Sequence, residues 1–514
     1  MNPIDLEIHW NRLIAIVDEA GAALKRTSFS TVVRESNDFA VVLLDQDGRL
    51  LAQSSWSVPG FIGTAPRSLR GMLSVIPREG LRPGDILFTN DPWIGTGHLP
   101  DSTMAAPVFS GERIVAFVVA VAHLSDVGGR QWSADAAELY EEGVRFPVVK
   151  LVEEGRFNAL VLALLEANVR LPEQVRGDIN AQIVAIRVVQ RRLAEMLAEY
   201  RLPDIDAIAQ AIYRASRDAA LREIRRIPPG VYSGSVEADG WDEPIRIMTR
   251  VDVSADAIRV DYAGTSAQVG YGVNETFNHT YAYTLYPFKC MLSPAVPNNE
   301  GFTGLFEVHA PTGSIVNAKP PAAVGARHLV GHLLQGAIFQ ALAPVMPDRV
   351  QADSGTPLWS VLLRGVDPAR DESFSTILFF NGGMGAMRDR DGIAATSFPG
   401  NISNTPIEVA ESLAPILFTA KRLDEGSGGD GTRRGGQGQV VAFVSRWPGI
   451  IRVSLLTERV RMPAKGLLGG AAGRTGYVHR NGIPVEQAKG MVDLRTGDLL
   501  ELRLPGGGGF GAPR

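Results

Sequence analysis

The chain has 514 residues, 45% of them hydrophobic and 21% charged, with a net charge of -5. That length exceeds what one core organises and predicts several lobes, while 51 basic against 56 acidic residues leave no basic field for a phosphate backbone, so a nucleic-acid partner is excluded and a small molecule or a protein is expected instead. The single cysteine, Cys290, allows neither an internal disulfide nor a cysteine-based zinc pattern and fits a reducing compartment; Asp5 and Glu7 stand where a signal peptide would be basic, and apolar runs such as 114–121 fall short of the ~20 residues a membrane span needs, so a cytoplasmic location is expected.

Apolar Leu6, Leu13, Ile16, Val17, Ala20 and Leu24 recur at helical spacing, with Pro3 suited to a first turn, and predict an opening amphipathic helix over 3–25. Two short strands are expected around the Asp45-Gln46-Asp47-Gly48 turn, and further strands over 85–89, 104–109 and 114–122, with 90–101 a loop. The clearest helix spans 174–200, where Val175, Ile179, Ile183, Ile186, Leu193 and Leu197 form one stripe. A second helix follows over 204–226. Beyond Pro228-Pro229-Gly230 the pattern alternates, as in 245–253 and 257–262, and predicts antiparallel sheet; 328–343 reads as helix again. From about 425 the chain is dense in glycine, which predicts tight turns at positive φ between short strands. The fold class is therefore α+β and multi-lobed: an N-terminal α/β lobe (1–172), a helical segment (173–228), a mixed β/α lobe (229–424) and a glycine-rich β lobe (425–514).

Two histidines stand in suggestive company, in Asn90-Asp91-Pro92-Trp93-Ile94-Gly95-Thr96-Gly97-His98-Leu99-Pro100-Asp101 and in Ala122-His123-Leu124-Ser125-Asp126. A loop carrying His98 and Asp101, meeting His123 at the end of an apolar strand, offers the nitrogen and carboxylate donors that Zn, Mn or Fe accept. The same spacing also serves turn capping, and composition alone leaves both readings open. His328 and His332, four apart on a predicted helix, could chelate but have no carboxylate in register. There is no Gly-x-Ser-x-Gly elbow and no Walker loop. The glycine clusters at 426–438 and 506–509 precede no helix, so they lack the N-terminus that cradles phosphate and read as turns.

These stretches, with Ile8-His9-Trp10-Asn11-Arg12-Leu13, Glu35-Ser36-Asn37-Asp38-Phe39, Val175-Arg176-Gly177-Asp178-Ile179-Asn180-Ala181-Gln182, Asn381-Gly382-Gly383-Met384-Gly385-Ala386 and the closing Pro505-Gly506-Gly507-Gly508-Gly509-Phe510-Gly511, resemble the B-type chain of hydantoinases, the B-like half of 5-oxoprolinase and the homologous subunit of acetone carboxylase. The resemblance implies a hetero-oligomer in which a hydantoinase A-type partner binds ATP with Mg and phosphorylates a carbonyl oxygen of a cyclic amide such as a hydantoin or 5-oxoproline. It implies a divalent metal on His98, Asp101 and His123, with Glu35 as a further ligand, Asp126 orienting the His123 ring and Asp91 supporting the loop. Subunits of ketone carboxylases share the pattern, and a non-catalytic scaffold is the third reading. Two departures stand out: Phe61 and Leu124 occupy positions where the family often carries histidine, which points to a different substrate or altered chemistry.

Overall fold

Along Arg113–His123 the residues Ala116, Val118, Ala120 and Ala122 face one way and Phe117, Val119 and Val121 the other, all buried. A strand with no polar side must be covered on both faces. The structure, a computed structural model, describes residues 2–130, 132–367 and 372–513, and this strand lies near the middle of a seven-stranded antiparallel sheet. Its strands are β1 (Phe39–Asp45), β2 (Leu50–Gln53), β3 (Ile86–Thr89), β4 (Asp101–Ser110), β5 (Arg113–His123), β6 (Val149–Glu153) and β7 (Arg156–Phe157), in the order β2-β1-β5-β4-β3-β6-β7.

Helices Pro3–Thr27, Pro172–Glu199 and Asp206–Ile224 share the core on one face of this sheet. The first is capped by the Asn2 side chain, which accepts the Asp5 N–H at 2.8 Å. On the second helix, the six apolar residues of the stripe from Val175 to Leu197 are all buried, each contributing about 1.5–3 kcal/mol relative to exposure. The other face is covered by helix Pro59–Val75 and by Leu358, Leu362, Ile377 and Phe379, which come from a different sheet and its approach. Both layers of the first sheet are thus dry, and its β4/β5 end lies deep in the molecule.

Three further sheets complete an α+β architecture. One runs Phe306–His309, Ile258–Asp261, Ile245–Val253, Gly230–Ala238 and packs on helices Phe277–Leu292 and Leu334–Leu342; the alternating burial of Ile245–Val253 matches its alternating sequence. A second pairs Glu372–Phe380, Trp359–Asp367, Ile451–Leu456 and Met491–Leu494, and a third contains five strands from Ile416–Leu423 to Leu499–Arg503. Among the described residues no helix is long and apolar enough to cross a membrane.

The structure departs from the sequence reading in three places. Asp101 opens β4 instead of closing a loop. The helix expected over 328–343 is two pieces, His328–Gly331 and Leu334–Leu342, and both His328 and His332 line a cavity. The late glycines are mostly not turn residues: within 426–438 and 506–511 only Gly426 and Gly511 have positive φ. They lie where backbones touch, so that a Cβ on Gly435 would meet Gly507 O at 1.9 Å and one on Gly507 would meet Met384 O at 2.1 Å. These segments bond each other through Gly429 N–H to Gly507 O and Gly507 N–H to Gly436 O, at 2.8 and 2.9 Å.

Candidate metal centre

In the antiparallel register of β4 and β5, Asp101 lies directly opposite His123, the arrangement that brings cross-strand side chains within reach. His98, three residues before Asp101, returns from the 90–101 loop. Gly97 allows that return, running at φ 112° where a Cβ would sit 2.7 Å from Arg327 Cδ. One donor atom from each of His98, Asp101 and His123 lies within 4.8 Å of the others, and all three side chains are buried. Behind them the Gln182 amide donates to Ser102 O at 3.0 Å and to Ala120 O at 3.3 Å while its oxygen accepts from Ser102 Oγ, which fixes the helix Pro172–Glu199 against the ends of both strands.

The polar atoms identify what this cluster accepts. His98 Nδ1 lies 2.9 Å from Gly325 O, and because a carbonyl only accepts, Nδ1 carries the proton. Burial, with the Arg327 charge, lowers the His98 pKa, so the ring is neutral and Nε2 presents a lone pair. That lone pair sits 2.8 Å from Asp101 Oδ1 without the alignment of a hydrogen bond. Burial would raise the Asp101 carboxyl, but the His98 ring beside it and the Arg327 charge outweigh it and hold it well below the usual range. Burial, reinforced by His98, pushes His123 down to about 3, and neither of its ring nitrogens has a hydrogen-bond partner among the described residues. Converging, unpartnered lone pairs in a buried site are costly unless a cation takes them up. The residues present therefore fit a divalent metal of the N/O-preferring kind.

The supporting contacts are equally specific. Arg327 Nη2 donates to Asp101 Oδ2 at 2.5 Å and its Nε to Thr96 O at 3.0 Å, and the Thr96 hydroxyl donates to the same carboxylate oxygen. Asp101 Oδ2 is thus occupied and Oδ1 is left pointing at His98. Glu142 accepts the Val324 and Gly325 N–H groups at 2.9 and 2.6 Å, holding the carbonyl that sets the His98 tautomer.

Not every expected residue joins the cluster. Glu35 is paired with Arg34 at 3.6 Å with its side chain 31% exposed; the structure does not bring it to the three. Asp126 does not orient His123: it accepts from Arg170 Nη1 at 2.7 Å and from the Gly128 N–H at 3.1 Å. The acidic residue closest to the expected role is Asp38, which immediately precedes β1. Its carbonyl accepts the His123 N–H at 3.1 Å and its side chain lines the cavity. Asp91 braces the loop, accepting the Trp93 N–H on its side chain at 2.9 Å and the Gly95 N–H on its carbonyl at 2.7 Å.

The cluster opens into a cavity of about 400 Å³. Its other walls hold His279, Tyr283, Arg327, His328, His332 and Trp132, and Phe61, one of the two departures noted in the sequence. His279 Nδ1 meets Glu275 at 2.9 Å and Tyr283 OH meets His332 Nε2 at 3.1 Å. Burial raises Glu275 to about 8 and takes His279 well below its usual range. Sequence reasoning missed His279, Arg327, Trp132 and Asp38. Asp38 alone left a signal, as the acidic residue one place before the first buried strand.

This chain belongs to the hydantoinase B/oxoprolinase family, whose profile matches residues 2–513. A Pseudomonas sp. (strain NS671) protein named as the putative B chain of a D-/L-hydantoinase is 29% identical over 545 residues, spanning 100% of this chain and 90% of that protein. The crystal structure of ATP-dependent caprolactamase from Pseudomonas jessenii is similar with a TM-score of 0.91 at 26% identity, over 100% of this chain and 91% of that one. A nucleotide-free structure of acetone carboxylase shares the fold, with a TM-score of 0.88 at 19% identity over 99% of this chain and 76% of that one.

Proposed function

We propose that this chain is the metal-holding B-type subunit of an ATP-dependent enzyme that opens a cyclic amide, working with an A-type subunit that binds ATP with Mg and phosphorylates the ring carbonyl oxygen. The observation that carries this reading is the unpartnered set of His98 Nε2, Asp101 Oδ1 and the His123 ring nitrogens in a buried cavity. Relatives named as the B chain of a hydantoinase and the beta chain of a caprolactamase support a divided enzyme. The 5-oxoprolinases among the relatives support cyclic amides as the substrate class.

Amide resonance makes a lactam or imide ring hard to open at neutral pH, and phosphorylating its oxygen suppresses that resonance, so that water can add to the carbon, the C–N bond can break with the proton going to nitrogen, and hydrolysis of the resulting acyl phosphate releases phosphate. A divalent ion held by His98, Asp101 and His123 would supply Lewis acidity and lower the pKa of water beside it. The chain's own residues do the rest. Arg327 and Thr96 hold Asp101 so that one oxygen alone faces the cluster. Gly325 O keeps the proton on His98 Nδ1. Trp132, packed 4.9 Å from His123 and 5.9 Å from His98 between ring centroids, keeps bulk water off both rings. Tyr283 and His332, hydrogen-bonded to each other, stand across the cavity as a relay able to hand a proton to a ring nitrogen as the ring opens.

The test is to purify the chain with a co-expressed A-type partner and follow ADP and ring-opened product with hydantoin, 5-oxoproline and caprolactam in turn. The expected result is product formed with ADP in equal amounts for one of these, and lost in Asp101→Asn. ADP formation that instead requires bicarbonate and a ketone would replace this reading with carboxylation.

A further inference from the structure

A second cavity, of about 590 Å³, shares His123 and Trp132 as walls with the first and opens toward a surface groove. Arg130, Arg170 and Arg364 line both this cavity and the groove, which also holds Arg452. Three of these arginines have carboxylate partners. Arg170 pairs with Asp126 at 2.7 Å, Arg130 with Glu141 at 3.2 Å and Asp135 at 3.3 Å, and Arg452 with Asp493 at 3.2 Å. Arg364 meets no carboxylate at ion-pair distance among the described residues.

Its place in the sheet makes this unusual. Arg364 lies on Trp359–Asp367, directly opposite Arg452 on one neighbouring strand and Ser375 on the other, and Arg452 in turn lies opposite Asp493. The row across the sheet therefore reads Ser375, Arg364, Arg452, Asp493. Asp493 serves Arg452, which leaves two like charges side by side, an arrangement that destabilises a sheet. Burial, with the Arg170 charge, lowers the Arg364 pKa, and Asp126 only partly opposes it. The remaining acid in the wall, Glu142, is pushed up to about 8 by burial and is held by backbone N–H groups, so near neutral pH it is largely uncharged. The carboxylates near this wall are therefore engaged by Arg130, Arg170 and Arg452, and Arg364 is the guanidinium of the cavity left without one at ion-pair distance among the described residues.

We propose that this second cavity binds an oxyanion group, phosphate or carboxylate, with Arg364 as its main partner and Ser375 as a hydroxyl donor beside it. A guanidinium with no carboxylate partner in a partly enclosed site is suited to two-point recognition of such a group. That the group is carried by a phosphorylated or carboxylated ring compound on its way to the metal centre rests on the function proposed above; the oxyanion site does not. The cation that Arg364 adds against Arg452 is then explained by the ligand rather than by the fold.

The test uses the full chain alone, without ATP or partner, so that its failure leaves the metal and amide reading untouched. Phenylglyoxal labels accessible arginines, and mass mapping gives a rate for each. Inorganic phosphate at about ten times its dissociation constant is expected to slow Arg364 labelling about tenfold while leaving the exposed Arg225 and Arg388 unchanged. A parallel series with acetate distinguishes the sources: protection by phosphate alone assigns a phosphoryl group, and protection by acetate assigns a carboxylate. The variant Arg364→Gln is expected to abolish calorimetric binding of the protecting anion with its thermal midpoint unchanged or raised, because the repulsion with Arg452 is relieved. Absence of protection by either anion, or equal slowing at every arginine, overturns the proposal. So does a marked fall in the midpoint of Arg364→Gln, which would make Arg364 a structural residue.

Discussion

The β4/β5 end and the glycine-rich C-terminal region are both buried and both unusual, but in opposite ways. At the first, side chains with strong polar demands converge and go unanswered: among the described residues, His98 Nε2, Asp101 Oδ1 and both His123 nitrogens have no hydrogen-bond partner. At the second, side chains are nearly absent and the demands are answered by backbone, with Gly383, Gly429, Gly435 and Gly507 all donating to carbonyls of neighbouring segments at 2.8–3.0 Å. Unsatisfied buried polarity points to a ligand, whereas fully satisfied close-packed backbone points to architecture. The contrast separates two glycine-rich stretches of similar appearance, one around Gly95 and Gly97 that shapes a site and one around Gly507 that holds chains together.

If the C-terminal region is architecture, altering it should cost stability heavily. The largest effect is expected at the buried Arg459–Asp353 pair, 3.3 Å apart and each 2% exposed. Arg459→Met leaves Asp353 uncompensated and should cost about 3–5 kcal/mol, read as a fall in the urea midpoint. Gly507→Ala follows, since the new methyl meets the Met384 carbonyl, which cannot swing away as a side-chain tip would; a loss of about 3 kcal/mol is expected by the same measurement. A near-neutral result at Gly507 would mean that its neighbours have room to part.

Glu142 braces Gly325 behind His98. Its folded pKa of about 8 lies above the 4.5 of the free side chain. The unfolded chain therefore ionises first, and the group's favourable share is complete below 4.5, declines as pH rises toward 8, and is flat above. The unfolding free energy from pH 5 to 8 should fall in the wild type relative to Glu142→Gln, which keeps the acceptor oxygen, by at most about 1.4 kcal/mol per pH unit. Parallel curves for the two proteins would show that Glu142 is charged in the fold.

The smallest stability effect is expected in the functional region itself. His123→Leu exchanges two unpartnered nitrogens for an apolar side chain, so in metal-free protein its unfolding free energy should change by about 0.5 kcal/mol or less. A loss of several kcal/mol would make His123 a structural residue and erase the contrast.

Much of this was legible in the residues. Periodicity found the long helices and most strands because a two-sided apolar strand such as 114–122 and a single-stripe helix such as 174–200 have few other solutions. His98, Asp101 and His123 stood out because His123 fell at the end of an apolar strand, but their spacing left turn capping equally open, and it was the resemblance to the hydantoinase B chains that implied them as a ligand group. What sequence could not supply was register across distance. Arg327 reaches Asp101 over 226 residues, and His279 comes to the cavity on helix Phe277–Leu292, far along the chain from β4 and β5, which no local pattern encodes. Glu35 was misplaced for a related reason: within a short acidic motif, which carboxylate faces inward depends on where the strand begins, and β1 begins one residue after Asp38; Asp126, past the end of β5, is instead taken by Arg170, which arrives from elsewhere in the chain. The late glycines were read as turns because composition gives permission for positive φ but does not distinguish it from close approach of backbones.

The most direct test of the central claim is the metal content of the purified chain by inductively coupled plasma mass spectrometry, wild type beside His98→Ala and His123→Ala proteins shown to be folded by circular dichroism. Near-stoichiometric Zn, Mn or Fe in the wild type, lost in both variants, is the expected result. A wild-type chain that carries no metal and takes none up on reconstitution would contradict the account and leave a non-catalytic scaffold as the reading that remains.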